Sequence, residues 1–147
     1  MSNPQLPSIP RQEDCIFCKI IAGQIPCHRL HEDERVLAFL DIGPLSAGHC
    51  LVIPKPHYRT LDQLPDGLAG ACMEAAVRLS RAVVAATGVE AWNILQNNGA
   101  AAGQVVMHVH FHIIPRRGQD GLGYRWNAGK LDAAKAAELI EAIRGKM

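Results

Sequence analysis

The chain has 147 residues, 48% of them apolar, and 15 basic side chains nearly balance 14 acidic ones. That length suits one domain able to bury a core without staples. The net charge of +1, with no long basic run, gives nucleic-acid binding no electrostatic support. No stretch reads as a signal peptide or a membrane span.

Residues 1–13, with Pro4, Pro7 and Pro10, read as a flexible arm, and residues 14–147 as a single domain. Asp14 is placed to cap a short helix over residues 15–21, with Gly23 as its stop. Residues 27–32 and 35–40 read as two strands joined at Asp33-Glu34. Gly43-Pro44 and Ala47-Gly48 punctuate the following loop. A third strand covers residues 49–53 and is closed by Pro54 and Pro56.

Residues 66–87 read as a helix whose stripe is Leu68, Cys72, Ala76, Leu79 and Val83, ended by Gly88. A fourth strand follows at 92–96, a loop at 97–103 and a fifth strand at 105–114, stopped by Pro115. Asp132 caps a last helix with the stripe Ala136, Leu139, Ile140 and Ile143. Short links between strands favour an α+β domain with a five-stranded, mainly antiparallel sheet. Such a sheet has an open edge, and dimerisation is one way to cover it.

Five cysteines stand at Cys15, Cys18, Cys27, Cys50 and Cys72. The odd count without an export signal argues against a disulfide framework, and a reducing cytoplasm is the expected location. Cys15-x-x-Cys18 is half of a zinc site by spacing and needs two further ligands. The alternative is two reduced cysteines on one face of a short helix.

Residues 108–112 read His-Val-His-Phe-His. On a strand, alternate side chains share a face, so His108, His110 and His112 are expected together, with Val109 and Phe111 toward a core. Three readings compete. The histidines could be incidental on a solvated face. They could bind a catalytic metal, although no carboxylate follows until Asp120. Or one imidazole could attack phosphorus, with its far nitrogen held by an acceptor. A glycine loop with phosphate-binding N–H groups stands just upstream, at Asn97, Asn98, Gly99 and Gly103.

Leu95–Arg116, with H-V-H-F-H-I-I-P at its centre, resembles the histidine-triad (HIT) family of nucleotidyl hydrolases and transferases. The likeness extends to C-I-F-C-K-I-I at 15–21, L-A-F-L-D-I at 37–42 and G-H-C-L-V-I-P-K at 48–55, and is strongest to the bacterial Hint branch. It implies a HIT-like fold, a homodimer and no cofactor for the chemistry. His110 matches the nucleophile that attacks the α-phosphorus of a nucleoside phosphoramidate. His112 matches the position that binds phosphate and manages the leaving group's proton. His108, first of this catalytic set, is structural or a ligand.

By the same likeness Asn97 and Gly103 order the phosphate site, and Asp41 binds the ribose hydroxyls. Ile16, Phe17, Ile20, Phe39 and Ile42 match an apolar clamp on the base; ordinary core is the other reading of Ile20 and Phe39. Stacking of this kind implies weak base selectivity, with purines (AMP or GMP conjugates) favoured by area. Cys15, Cys18, His49 and His108 match a structural zinc site. His28, His31 and His57 fit no recruiting pattern and are expected on the surface. Tyr124 and Trp126 match a segment that shapes leaving-group choice near a partner's site.

One position departs from the family pattern. Val105 stands where Ser or Thr commonly donates to the phosphate or leaving group. Losing one such donor can cost on the order of 10²-fold, so reduced turnover or an altered leaving-group preference is expected. A dinucleoside polyphosphate hydrolase, or a nucleotide-binding protein with vestigial activity, are the competing functions.

Overall fold

The hairpin at the N-terminal end of the sheet is built on Asp33. Its Oδ1 accepts from the backbone N–H groups of Arg35 (2.8 Å) and Val36 (3.0 Å), the local bond that makes Asp a turn residue. The turn joins β1 (Arg29–Glu32) to β2 (Val36–Leu40). The computed structural model describes residues 11–123 and 128–147. Most of the expected N-terminal arm, and Tyr124 and Trp126, lie outside them.

Strand β3 (Cys50–Pro54), β4 (Ala91–Gln96) and β5 (Phe111–Arg116) complete a sheet of order β1-β2-β3-β5-β4. All four pairings are antiparallel. This is the expected α+β architecture. Helix α1 (Ile16–Ile21) lies on one face, and α2 (Asp66–Thr87) on the other. The α2 stripe read from the sequence is buried against Val36, Ala38, Val52, Phe111 and Ile113. Each fully buried Val, Leu or Ile there contributes about 1.5–3 kcal/mol relative to exposure. Gly48 lets the chain enter β3 close to the end of α2: it sits at φ 90°, and a Cβ there would meet Thr87 Cγ2 at 2.8 Å.

Two local expectations are corrected. Helix α1 is capped by Cys15, not Asp14: the Cys15 Sγ accepts from the Cys18 N–H at 3.4 Å. The last strand begins at Phe111, not 105, because β3 pairs with β5 only from Val52↔Phe111 onward. Upstream, the Val109 N–H turns instead to the Tyr58 carbonyl at 2.8 Å. The alternation survives this change. Val109, Phe111 and Ile113 enter the core beneath α2, while His108 and His110 both lie edge-on to Phe17 of α1.

The final helix, α3 (Ala133–Arg144), is capped as expected, with Asp132 Oδ2 accepting from the Lys135 N–H at 2.9 Å. No residue of it is buried. No helix among the described residues is long and apolar enough to cross a membrane.

Candidate active site

The reactive end of the triad is organised by hydrogen bonds that decide which ring nitrogens carry protons. His110 Nδ1 donates to its neighbour's carbonyl, His108 O, at 2.7 Å. Its Nε2 therefore keeps a lone pair. His49 Nδ1 accepts from the Leu45 N–H at 3.0 Å, so the proton of neutral His49 sits on Nε2. That Nε2–H points to His112 Nδ1, 2.9 Å away. His112 then carries its own proton on Nε2. The rings of His110 and His112 are 4.9 Å apart, which sets an acceptor beside a donor.

Burial keeps these rings neutral. It lowers the His110 pKa, against the pull of its bond to the His108 carbonyl and of Asp41. For His112, burial first, then the neighbouring His110 and His49, push the pKa down to about 4. His49 is also lowered by burial, and Asp41, 3.5 Å from its Nε2, opposes the shift.

His110 and His112 line a cleft of about 500 Å³ shared by Ile16, Phe17, Ile20, Phe39, Asp41, Ile42, Gly103 and Val105. Phe17, Ile20 and Phe39 serve two purposes: their faces wall the cleft, yet each is buried in the core beneath α1. Asp41 holds the end of β2, with Oδ1 accepting from the Gly43 N–H at 2.8 Å. Val105 is 88% exposed at the rim and supplies no hydroxyl. Asn97 does not line the cleft; its Nδ2 donates to the Gly103 carbonyl at 3.5 Å. Gly103 sits at φ 92°, a conformation that suits glycine.

A residue that the sequence reading missed holds this loop. Gln104 is buried; its Oε1 accepts from the Gly99 N–H at 2.8 Å, and its Nε2 donates to the Arg59 carbonyl at 2.7 Å. A lone polar residue between Gly103 and two valines was the available signal.

His108 does not reach the cleft. It is 0% exposed, and its Nε2 donates to the Pro54 carbonyl at 2.8 Å. Its side chain thus stands apart from His110 and His112, and only its carbonyl reaches His110. The remaining lone pair, on Nδ1, faces His57 Nδ1 at 3.2 Å, Cys15 Sγ at 3.5 Å and Cys18 Sγ at 3.6 Å.

The ligand set expected from the sequence is corrected here: His57, not His49, joins Cys15, Cys18 and His108. Register is the reason. Cys50 lies opposite Ile113, so His49 meets the His112 end of the last strand. The chain beyond Pro54 runs toward His108 and carries His57 there. Two thiols and two imidazoles within 4.8 Å of one another suit a tetrahedral ion such as zinc. His57 Nε2 is buried with no hydrogen-bond partner among the described residues, while its Nδ1 lies 3.4 Å from Cys18 Sγ and 3.2 Å from His108 Nδ1.

Comparison with known proteins places the chain among relatives of the same fold. The HIT domain family matches residues 22–119. "Adenylylsulfatase HINT3" of Arabidopsis thaliana is 47% identical, over 90% of this chain and 69% of its own length. "Adenosine 5'-monophosphoramidase hnt1" of Schizosaccharomyces pombe is 46% identical, over 90% and 98%. A crystal structure of a HIT family protein from Bacillus subtilis superposes with a TM-score of 0.87 at 42% identity, covering 92% of this chain and 98% of that one. A zinc-bound histidine triad protein from Mycobacterium smegmatis gives 0.71 at 37%, covering 88% and 91%. With its triad, its sheet order and these relatives in agreement, the chain belongs to the HIT domain family.

Proposed function

We propose that the protein hydrolyses the P–N bond of purine nucleoside 5′-phosphoramidates, giving the nucleoside monophosphate through a nucleotidyl-histidine intermediate. The observation that carries this reading is the His108 carbonyl on His110 Nδ1, which leaves Nε2 as a lone-pair nucleophile beside the cleft. His110 Nε2 attacks the α-phosphorus and the P–N bond breaks. The leaving nitrogen departs as an amine, its proton passed through His112 Nε2. Water then cleaves the phosphorus–histidine bond, returns that proton and frees His110.

Phe17, Phe39, Ile16, Ile20 and Ile42 hold the base, and Asp41 accepts from the ribose hydroxyls. The backbone around Gly103 and Val105 holds the phosphate, with Asn97 acting through Gly103. The two named relatives support this class: their names describe one as a monophosphoramidase and one as an adenylylsulfatase. No Lys or Arg stands among the described residues lining the cleft, so further phosphates of a dinucleoside polyphosphate find no cation there.

Zinc, held by Cys15, Cys18, His57 and His108, takes no part in the chemistry. It ties α1 to the segment that carries His110. The acting unit is a homodimer that covers the open edge at β4.

The test is a side-by-side rate measurement on AMP–lysine phosphoramidate, adenylyl sulfate and a diadenosine polyphosphate, with His110→Asn as control. Faster turnover of the polyphosphate would reject the assigned substrate class. Activity retained in His110→Asn would reject the nucleophile.

A further inference from the structure

Cys15 and Cys18 stand at the start of the helix that also walls the cleft. Ile16 and Phe17 lie between them, and both line the cleft with Ile20. The Phe17 ring is edge-on to His108 at 5.8 Å and to His110 at 5.1 Å, so it packs against a metal-ligand candidate and the nucleophile together. His108 belongs to both groups as well: its Nδ1 faces the two thiols, and its carbonyl holds His110. Whatever holds Cys15 and Cys18 therefore positions one wall of the cleft against the reacting nitrogen.

The pair also has what oxidation requires. The ligand atoms of the set lie within 4.8 Å of one another, so the two sulfurs need only a short approach to bond. Metal ligation keeps thiols deprotonated, and the thiolate is the form that reacts. A backbone N–H faces each sulfur, that of Cys18 on Cys15 Sγ and that of Gln12 on Cys18 Sγ, both at 3.4 Å. Both thiols are buried, yet each lines a surface recess. Cys15 borders one of about 290 Å³ beside His57 and Val105, and Cys18 one of about 310 Å³ beside Gln12 and Lys19. Cys50 and Cys72, by contrast, are wholly enclosed in the core at α2.

We propose that Cys15 and Cys18 are a redox modification site: hydrogen peroxide converts them to a disulfide, and this loosens the α1 wall of the nucleotide cleft. One thiolate attacks a peroxide oxygen, the O–O bond breaks, hydroxide leaves and that cysteine becomes a sulfenic acid. The second thiolate attacks its sulfur, the S–S bond forms and a second hydroxide leaves. Two electrons pass from the sulfurs to the peroxide. A dithiol reductant reverses the change by exchange.

Chain distance gives the consequence. The ligand set brings Cys18 to His57 and His108, 39 and 90 residues away, and Cys15 to His108, 93 away. The disulfide joins residues 3 apart. Closing a long loop constrains a chain, and closing so short a one does little. Oxidation thus exchanges a tie between α1 and the His110 segment for a tie within α1. The inference rests on the zinc reading and is independent of the reaction assigned to the cleft.

Titration of the reduced full chain with hydrogen peroxide tests it, after its zinc content has been measured. The protein should lose the mass of two hydrogen atoms, with Cys15 linked to Cys18 by peptide mapping. Zinc should appear in a chromogenic chelator in step with the disulfide. Amide hydrogen exchange across α1 should speed up, and the AMP dissociation constant should rise about tenfold. Dithiothreitol with added zinc should restore both. Cys27→Ser should give the same ratio of oxidised to reduced affinity, which sets aside the half-buried thiol that also lines the cleft. Reduced protein without zinc overturns the zinc reading and the switch with it. Zinc present but no Cys15–Cys18 link, or a link that leaves α1 exchange unchanged, overturns the switch alone. Should AMP fail to bind even the reduced protein, the nucleotide cleft is rejected and the loosening of a nucleotide wall with it.

Discussion

His49 Nε2 lies 2.9 Å from His112 Nδ1, and the Leu45 N–H on the other side of the His49 ring fixes which of the two donates. The consequence reaches the cleft: the proton of His112 is held on Nε2, beside the lone pair of His110. His49 is not among the described residues lining the cleft, and on the proposed reading it acts through His112. His49→Ala should lower kcat on the order of 10²-fold with KM little changed, the scale of a misplaced proton donor. His49→Gln, which keeps a donor, should recover part of that loss. A change confined to KM would place His49 in substrate binding instead.

Val105 offers a gain rather than a loss. Its side chain is exposed at the rim of the cleft and supplies no hydroxyl. Val105→Ser restores a donor near the departing group and should raise the rate on AMP–lysine phosphoramidate, by up to about 10²-fold if the hydroxyl bonds the transition state alone. An unchanged rate would show that the site does not depend on a donor at this position.

Metal analysis separates His57 from His49. Protein purified without chelator should hold about one zinc per chain, as a closed Cys₂His₂ set requires. His57→Ala should lower that content, whereas His49→Ala should leave it intact. Stripping the metal should release the thiols of Cys15 and Cys18 to a thiol reagent. Cys27, half-buried, should react with or without metal, whereas Cys50 and Cys72, fully enclosed in the core at α2 with pKa values pushed up by burial to about 11 and about 12, should stay silent in both states. A content below about a tenth of an equivalent in the wild type would remove the site.

Acid should weaken the fold through His112. Burial, with His110 and His49 beside it, lowers its pKa from 6.5 to about 4, while Asp41 pulls the other way. The unfolded chain therefore binds a proton that the folded one refuses between those values. Stability is highest above 6.5, falls as pH drops through that window, and levels off near 4 for this group. Urea midpoints of the wild type and His112→Asn check it, and the variant should show a shallower decline. Identical slopes would mean that His112 does not contribute to the loss.

Much of this was legible in the residues. Pattern alone placed the α2 stripe, and the period of the histidine segment put His108 and His110 opposite Val109 and Phe111. The apolar wall came from the family likeness rather than from pattern, and Phe17, Ile20 and Phe39 are core and cleft at once. What failed was partner choice across the sheet. His49 and His57 flank the same strand, and nothing in their spacing says which end faces the cysteines. The β3–β5 register decides it, and register is set by long-range pairing. The early end of the last strand was misread for a related reason: residues upstream of Phe111 look extended, but the Tyr58 carbonyl takes up the Val109 N–H. Gln104 was overlooked because its partners, Gly99 and Arg59, come together only in the folded chain.

The central claim is that His110 Nε2 forms a bond to phosphorus. Intact mass measurement after rapid acid-free quench of the protein with AMP–lysine phosphoramidate tests it most directly. The account predicts an added nucleotidyl mass, located on His110 by fragmentation and absent in His110→Asn. An adduct on another residue, or turnover by His110→Asn, would contradict it.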